Sequence, residues 1–221
     1  MNPFLGKTAF LFDLDGTLVD SSALHEQVFR DVLRDSAPHL LNGFDYETLK
    51  GRSTAESFWD LGVVDAAELE TLVSEKQRRY RAALREGKLR LMPGASEILE
   101  LLRQSGKRMF VVTGGSRRSA DAALAATRIR DFFEDVVTAQ DVVNGKPEPD
   151  GFLLCMERCG CATEDALGIE DALNGVEACR AAGLDVVLVN NPGLQGTVEP
   201  AFPSLVEFRL ALVAEGEREL V

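Results

Sequence analysis

Five short runs of apolar and β-branched residues, separated by helical patterns, constrain the fold of this chain more than any other feature. The helical patterns carry apolar residues three and four positions apart. Strands that alternate with helices predict an α/β fold, in which a Rossmann-like parallel sheet core is covered by helices on both faces. The predicted strands begin at Thr8, Arg108, Asp135, Asp165 and Asp185, and the predicted helices span residues 93–104, 116–126, 149–159 and 172–182.

One stretch interrupts the alternation between about residues 21 and 91. Apolar residues recur there at helical spacing, beginning at Leu24 and again at Leu69, and no convincing run for a buried strand occurs between them. We therefore predict an inserted α-helical cap domain at residues 21–91 and an α/β core at residues 1–20 and 92–221. The weakly patterned tail predicts a short strand and helix within residues 202–212.

The charge balance narrows the classes of partner. The chain has 36 acidic and 24 basic residues and a net charge of -12 at pH 7. That field repels nucleic acid and anionic membranes, so neither is an expected partner, and an anionic substrate would need a local cation such as a bound metal. The first residues lack the pattern of a secretory signal, which predicts a cytoplasmic protein. We expect a monomer or a weak homodimer.

Two carboxylates lie two positions apart where the first predicted strand ends. Asp13 and Asp15 repel each other at this spacing unless a cation or a shared proton relieves them, so a purely structural role is disfavoured. Gly16 then permits a sharp turn of the backbone. A solvated acidic turn is the alternative, but such a turn rarely follows a run like Ala9–Phe12. The pair predicts a chemical site at the end of this strand.

Other polar residues close later strands or follow them. Thr113 ends the second predicted strand, Glu170 and Asp171 end the fourth, and Lys146 lies in a loop stiffened by prolines. Each alone has an ordinary interpretation, as a strand-ending threonine, a helix-capping carboxylate or a loop lysine. Because ligands bind beyond the carboxyl ends of parallel strands, we expect Thr113, Glu170 and Asp171 to converge on Asp13.

The segment DLDGTLVDS resembles the first motif of the haloacid dehalogenase superfamily of phosphotransferases. Thr113 resembles the phosphate-binding hydroxyl of the second motif, and Lys146 resembles the lysine of the third. Glu170 and Asp171 are similar to the acidic fourth motif. The motifs occur in the family's order and cover nearly the whole chain, and the predicted cap resembles that of phosphoglycolate phosphatases and β-phosphoglucomutases.

The resemblance implies a phosphatase in which Asp13 attacks phosphorus and forms an aspartyl phosphate. Asp15 would protonate the leaving oxygen and then accept a proton from the attacking water. The implied cofactor is Mg²⁺, which prefers oxygen ligands, and the implied substrate is a small phosphorylated metabolite. The predicted metal ligands are Asp13, the backbone carbonyl of Asp15, Glu170 and Asp171, and the predicted phosphate contacts are Thr113, Gly114 and Lys146.

The chain departs from the common family pattern at two places. Gly114 and Gly115 follow the threonine where relatives often carry serine or asparagine, and Ala172 stands where many carry serine. Both changes remove a side-chain hydrogen bond and affect fine tuning more than the reaction class. The dehalogenases of the superfamily lack the aspartate at the position of Asp15, so dehalogenation is disfavoured.

Three side chains of the predicted cap are candidates for substrate contact. The loop LKGRS, with Lys50 and Arg52, resembles the substrate-facing loop of β-phosphoglucomutase-like enzymes, and His25 matches a histidine position of those mutases. The alternatives are solvated surface charges for the two cations and a surface helix position for His25. Two cations in so acidic a chain favour anion binding.

Three of the four cysteines fall in the segment CMERCGC. Zinc is one interpretation, but two CxxC pairs are missing and no histidine is near. Reduced cysteines on a helix and its following turn are the preferred interpretation.

Three functions remain open from the sequence. A phosphatase of sugar phosphates or related phosphomonoesters is preferred. A β-phosphoglucomutase-like mutase would use the same aspartate to move a phosphoryl group between two positions of one sugar. A regulatory protein on the same fold would not need the intact acidic set.

Overall fold

A six-stranded parallel sheet forms the centre of the computed structural model, which describes Phe4, residues 6–50 and residues 52–216. The strands of the described chain are β1 (Ala9–Phe12), β2 (Val19–Asp20), β3 (Arg90–Leu91), β4 (Arg108–Val112), β5 (Asp135–Val137), β6 (Ala166–Glu170), β7 (Asp185–Val189) and β8 (Ala201–Phe202). The sheet order is β5-β4-β1-β6-β7-β8, and each neighbouring pair runs parallel. The predicted α/β fold with a Rossmann-like sheet is confirmed.

Helices follow the strands of this sheet, with the short helical turns between them left aside. They are α1 (Ser22–Ser36), α2 (Thr54–Asp60), α3 (Ala66–Arg85), α4 (Ala95–Gln104), α5 (Arg117–Ala126), α6 (Asp150–Cys159), α7 (Leu173–Ala181) and α8 (Leu205–Gly216). The four predicted core helices each lie within one or two residues of the bounds expected from the sequence. The predicted strand and helix of the tail correspond to β8 and α8.

Both faces of the sheet are buried because side chains alternate along β1. Phe10 and Phe12 point into one apolar cluster, where they meet residues of α4, α5 and α8. Ala9 and Leu11 point into the other, which α6 and α7 cover. Two covered faces explain why β1 is apolar throughout rather than alternating with polar residues.

The register of β1 places two acidic residues side by side at the carboxyl ends of the strands. Phe12 lies opposite Val111 of β4 and Ile169 of β6. The next residues along each strand therefore also lie side by side. In this way Asp13 becomes a neighbour of Glu170, although 157 positions separate them in the sequence.

Helices α1, α2 and α3 lie between β2 and β3 in the sequence. These two strands pair antiparallel, with Val19 opposite Leu91, so the chain leaves and returns through adjacent segments. The three helices share an apolar cluster of their own, which includes Phe29, Phe58 and Leu72. We propose residues 21–91 as the cap and residues 1–20 with 92–221 as the core. Residues 1–3, 5, 51 and 217–221 of this division lie outside the described part of the chain.

Within the described residues, no helix combines the length and the apolar character needed to cross a bilayer.

Candidate active site

Lys146 joins the two carboxylates that the sheet register brings together. Its Nζ donates to Oδ1 of Asp13 and to Oε1 of Glu170, each at 2.6 Å. A third bond, of 2.8 Å, goes to the backbone oxygen of Val112 at the end of β4. All three charged side chains are buried, and Glu170 is only 1% exposed. We call Asp13, Lys146, Glu170 and the adjacent Asp171 the strand-end cluster.

Burial sets the electrostatics of this cluster. It raises the pKa of Asp13 and of Glu170, and the charge of Lys146 only partly offsets that effect. Burial also acts against the charge of Lys146, but the two carboxylates outweigh it and hold the pKa of the lysine above its usual range. The lysine is therefore a permanent cation beside the carboxylate of Asp13.

Asp171 completes a group of three carboxylates suited to a metal. One oxygen each of Asp13, Glu170 and Asp171 can be chosen so that all lie within 4.8 Å of one another. Burial, together with the charge of Asp13, raises the pKa of Asp171 to about 7. A bound divalent cation would relieve this repulsion, so the donor set fits a hard metal such as Mg²⁺.

The turn after β1 leaves room for Asp171. Gly16 has φ of +88°, and a Cβ built there would lie 2.2 Å from Oδ2 of Asp171. Thr17 donates its hydroxyl to Oδ1 of the same carboxylate at 3.2 Å. A side chain at position 16 would therefore strain the backbone and displace Asp171 together.

Thr113, Gly114 and Gly115 line the same pocket as Asp13 and Asp15. The amide of Gly115 donates to Oγ1 of Thr113 at 3.0 Å, which leaves the threonine hydroxyl hydrogen free to donate elsewhere. Ser116 then caps α5 by accepting a bond from Ser119. The segment therefore presents a hydroxyl and a helix N-terminus, both of which favour a bound phosphate.

Asp15 lies on the other side of the pocket, towards the proposed cap. Its Oδ1 lies 3.1 Å from Nε2 of His25 and 3.4 Å from the hydroxyl of Tyr80. The second ring nitrogen of His25, Nδ1, lies 2.7 Å from Nζ of Lys76. We call Asp15, His25 and Lys76 the cap-side network.

The protonation of this network follows from its contacts. Burial, and then the charge of Lys76, lower the pKa of His25, so its ring is neutral at pH 7. A neutral ring that accepts from Lys76 at Nδ1 must carry its proton on Nε2 and donate it to Asp15. Although burial acts the other way, this donor and its neighbours lower the pKa of Asp15 to about 2.

A pocket of about 60 Å³ lies between the strand-end cluster and the cap-side network. Its lining includes Asp13, Asp15, His25, Thr113 and Gly114, all of them predicted from the sequence. Arg52 also lines it. Drug-sized ligands occupy pockets of roughly 300 Å³ or more, so a metabolite larger than phosphate needs the proposed cap to open.

Lys50 lies apart from this pocket. It lines a second groove of about 550 Å³. Glu47, Thr48, Lys50 and Arg52 form this groove together with Lys146, Pro147 and the segments after β6 and β7. There the Nζ of Lys50 forms an ion pair of 2.8 Å with Glu47. Arg52 lines both spaces and pairs with Asp60 at 2.9 Å. The glycine between Lys50 and Arg52 lies outside the described residues.

Sequence reasoning missed Lys76, Tyr46 and Tyr80 as parts of the site. Lys76 carried a usable signal, since it lies four positions after Leu72 and four before Tyr80, on the apolar stripe of α3. A lysine at such a position is buried only with specific partners. No comparable signal identified Tyr46, which precedes the LKGRS loop.

All four cysteines are free thiols, and Cys155 and Cys179 are buried. The one grouping of potential metal ligands within the described chain is the carboxylate set above, and no cysteine belongs to it.

The match to a known protein family spans the residues of the strand-end cluster. The family model for haloacid dehalogenase-like hydrolases matches residues 10–189. Protein CbbY of Rhodobacter capsulatus is 32% identical over 85% of this chain and 87% of its own length. Fructose-1-phosphate phosphatase YqaB of Escherichia coli is 33% identical over 80% of this chain and 93% of its own length.

A solved structure supports the fold independently. β-Phosphoglucomutase from Clostridium difficile superposes with a TM-score of 0.80 over 97% of this chain and 98% of that chain. Its sequence identity is 23%, so this likeness concerns the fold.

Proposed function

Because this chain belongs to the haloacid dehalogenase-like hydrolases, we propose that it hydrolyses a small phosphomonoester, a sugar phosphate or a related metabolite, in a Mg²⁺-dependent reaction. The reaction passes through an aspartyl phosphate on Asp13. The name of one relative supports the substrate class, since it is a fructose-1-phosphate phosphatase. The cytoplasmic location and the monomer or weak homodimer that the sequence predicts stay predictions.

One observation carries the proposal. The 2.6 Å contact between Lys146 and Asp13 orients a buried carboxylate beside a permanent cation, with two further carboxylates adjacent. Phosphoryl transfer needs such positioning and charge neutralisation more than unusual functional groups. Burying several carboxylates together costs folding stability, and a chemical role explains why the chain keeps them.

Magnesium is the proposed cofactor. Asp13, Glu170 and Asp171 would hold it through side-chain oxygens, and the backbone carbonyl of Asp15 is a further predicted ligand. When bound, the ion neutralises charge on the phosphoryl group and draws its oxygens into place. Glu170 accepts a bond from Lys146 at Oε1, so it would contact both the lysine and the metal.

Asp13 and Asp15 divide the chemistry. A carboxylate oxygen of Asp13 bonds to phosphorus as the ester bond breaks, and Asp15 gives a proton to the departing oxygen. Water then attacks the phosphorus of the aspartyl phosphate, Asp15 takes its proton, and phosphate leaves with Asp13 restored. Asp15 is ionised in the free protein, so it takes up the proton that it donates from solvent when the substrate binds. The negative charge of the arriving phosphate favours this uptake because it raises the pKa of Asp15.

Thr113, the backbone of Gly114 and Lys146 are proposed phosphate contacts. On the cap side, His25 is proposed to lie near the departing ester oxygen, because its ring contacts Asp15, the proposed proton donor to that oxygen. Arg52 is proposed as a contact for the remainder of the substrate, because it lines the pocket. Lys50 is proposed as an outer contact from the adjoining groove.

The test is phosphate release from a panel of phosphorylated metabolites with Mg²⁺. Asp13→Asn should lower turnover by at least about 10⁴-fold because it removes the nucleophile. Asp20→Asn, an exposed carboxylate on β2, is the matched control and should retain activity. Mg²⁺ with beryllium fluoride, which mimics the aspartyl phosphate, should raise the melting temperature of the native chain but not of Asp13→Asn.

Two results would contradict the proposal. The first is an Asp13→Asn variant that retains phosphate release. The second is interconversion of glucose phosphates faster than phosphate release, which identifies a mutase instead.

A further inference from the structure

We propose that Arg81 and Arg85 of α3, together with Arg118 of α5, form a second anion site, which binds a phosphate group outside the pocket described above. The site goes beyond the proposed function, since it needs neither Mg²⁺ nor the strand-end cluster. It follows from three neighbouring arginines that have no acidic partner among the described residues, in a chain with 36 acidic residues.

The packing of α3 against α5 brings these arginines together. A small cavity of about 20 Å³ between the two helices is lined by Tyr80 from α3 and by Ser116 and Ser119 from α5. Arg81 directly follows Tyr80, and Arg118 directly precedes Ser119. Both arginines therefore lie next to the contact between the two helices.

The three guanidinium groups repel one another. Arg85 lies four positions after Arg81, so the two side chains are neighbours on the surface of α3. Burial, and then the charges of Arg118 and Arg85, lower the pKa of Arg81. A bound anion would replace this repulsion with attraction.

One nitrogen of Arg81 is enclosed without a hydrogen-bond partner. Its Nη1 is buried and makes no hydrogen bond to the part of the chain that the structure describes. A buried donor on a charged group is costly to leave unsatisfied, and a bound ion or water is a common explanation for such an atom. Phosphate is a suitable ion, because guanidinium groups donate to it through paired, charge-assisted hydrogen bonds.

The carboxylates nearest along the chain do not neutralise the arginines. Asp121 lies three positions after Arg118 on α5, and Glu86 directly follows Arg85. Glu86 pairs instead with Lys88, and Asp121 forms no ion pair within the described residues. The positive charge of the three arginines therefore stays available for a ligand.

The position of Arg118 on α5 adds a further reason. It lies in the first turn of this helix, where the helix dipole favours negative charge, yet that turn contains no acidic residue. The preceding Arg117 is neutralised by Asp141 at 2.7 Å, whereas Arg118 has no comparable partner in the described chain. An anion at Arg118 would satisfy both the guanidinium group and the helix dipole.

A phosphate group matches this set of donors. It carries a charge of about -2 and accepts several hydrogen bonds at once. Held by arginines from both helices, it would connect α3 to α5, so its binding should stabilise the folded chain. Free phosphate and the phosphate group of a small metabolite offer the same chemistry.

The first experiment titrates inorganic phosphate into the native chain by calorimetry, in EDTA and at constant ionic strength set with sodium chloride. Arg118→Gln and Arg81→Gln should each weaken phosphate binding by at least about tenfold. Arg128→Gln makes the same charge change at an exposed position just beyond the other end of α5, and it should bind like the native chain. Phosphate that enters the catalytic pocket contributes equally in all four proteins, so their differences report on the arginines alone.

Melting temperatures separate ligand binding from a structural role. Without phosphate, Arg118→Gln should melt at or slightly above the native temperature, because Arg118 is exposed and its removal relieves repulsion. Phosphate should raise the melting temperature of the native chain and of Arg128→Gln, and it should have little effect on Arg118→Gln. A lower melting temperature of Arg118→Gln, by the same amount with and without phosphate, would identify a structural arginine and overturn the inference.

The source of the phosphate group is tested on Asp13→Asn, which lacks the proposed nucleophile. Inorganic phosphate and glycerol 3-phosphate are titrated into this variant with and without Arg118→Gln. The ligand whose affinity falls more on adding Arg118→Gln is the one that the arginines bind. No fall for either ligand contradicts the site.

The remaining outcomes are decisive as well. Equal phosphate affinity in the native chain, Arg118→Gln and Arg81→Gln overturns the inference, and so does an equal loss in Arg118→Gln and Arg128→Gln, which would reflect general charge attraction. Either result leaves the proposed hydrolysis standing. Failure to release phosphate from any ester overturns the proposed function and leaves this inference to the titrations.

Discussion

The strand-end cluster and the cap-side network each bury a lysine near a carboxylate, yet they treat the lysine in opposite ways. Lys146 contacts Asp13 and Glu170 directly, and these carboxylates raise its pKa. Lys76 reaches Asp15 only through a neutral imidazole, and burial lowers its pKa to about 8. The first lysine neutralises a buried charge, whereas the second orients a hydrogen bond.

Because of this difference, Lys146 should matter most for folding stability and Lys76 most for the hydrogen bond to Asp15. Removing Lys146 would leave two buried carboxylates unpaired, and such a loss is among the most damaging single changes. Removing Lys76 would leave a neutral ring without one donor, while Asp15 keeps its contacts to His25 and Tyr80.

The largest effect is expected for Lys146→Met. Its free energy of unfolding at pH 7 without metal should fall by about 3–5 kcal/mol, because Asp13 and Glu170 lose their shared cation. Phosphate release should be lost as well. Urea denaturation measures the first effect. A variant as stable as the native chain would show that the two carboxylates are protonated rather than paired.

Lys76→Met is the matched partner of that variant. Its unfolding free energy should stay within about 1 kcal/mol of the native value, because methionine packs well against Phe29 and Tyr80. Asp15 loses a nearby cation, but its side chain is 30% exposed and keeps its contacts to His25 and Tyr80. Its kcat should nevertheless fall by about tenfold, since His25 loses the contact that holds its proton on Nε2. Losses of equal size in both lysine variants would remove the distinction.

The next effect concerns Asp171 and the metal. Its folded pKa of about 7 exceeds the ordinary value of 3.8, so its contribution to stability is fully present below about pH 4 and is lost as the pH rises through 7. Without metal, Asp171→Asn should therefore stabilise the chain more at pH 8 than at pH 5, by roughly 2 kcal/mol. Urea denaturation with EDTA at both pH values measures this difference.

Magnesium should reverse the order of stability of the native chain and Asp171→Asn. At pH 8 the ion should raise the melting temperature of the native chain, because it satisfies the ionised carboxylates, and should have little effect on Asp171→Asn. Asp20→Asn should respond like the native chain. A variant stabilised by Mg²⁺ as strongly as the native protein would exclude Asp171 from the metal site.

The smallest effect is expected for His25→Gln. Loss of the imidazole removes a group that favours the ionised form of Asp15, so the pKa of Asp15 should rise from about 2. Asp15 must carry a proton to act as the acid in the first transfer, so the alkaline limb of the pH profile of kcat/KM should move to higher pH. The lost positioning of Asp15 should still lower kcat/KM by about threefold to tenfold at pH 7. An unchanged alkaline limb would show that His25 does not set the protonation of Asp15.

Much of the strand-end cluster can be predicted because its members lie next to strong local signals. Asp13, Glu170 and Asp171 each follow or end an apolar strand, and parallel strands bring their carboxyl ends to one edge. Their convergence therefore depends on the fold class, which the alternation of strands and helices already indicates. Lys146 lies in a loop and was predictable only through the family motif.

The cap-side network shows where local reasoning stops. The apolar stripe of α3 identifies the face on which Lys76 lies, but helical periodicity does not name the helix or turn that this face will meet. Lys76 and His25 are 51 positions apart, and their contact depends on how α1 and α3 pack together and against the turn after β1. The short-range pattern of the chain accounts for its elements and its acidic strand ends. The pairing of buried charges is decided by long-range packing, because each charge needs a partner that only the assembled core and cap supply.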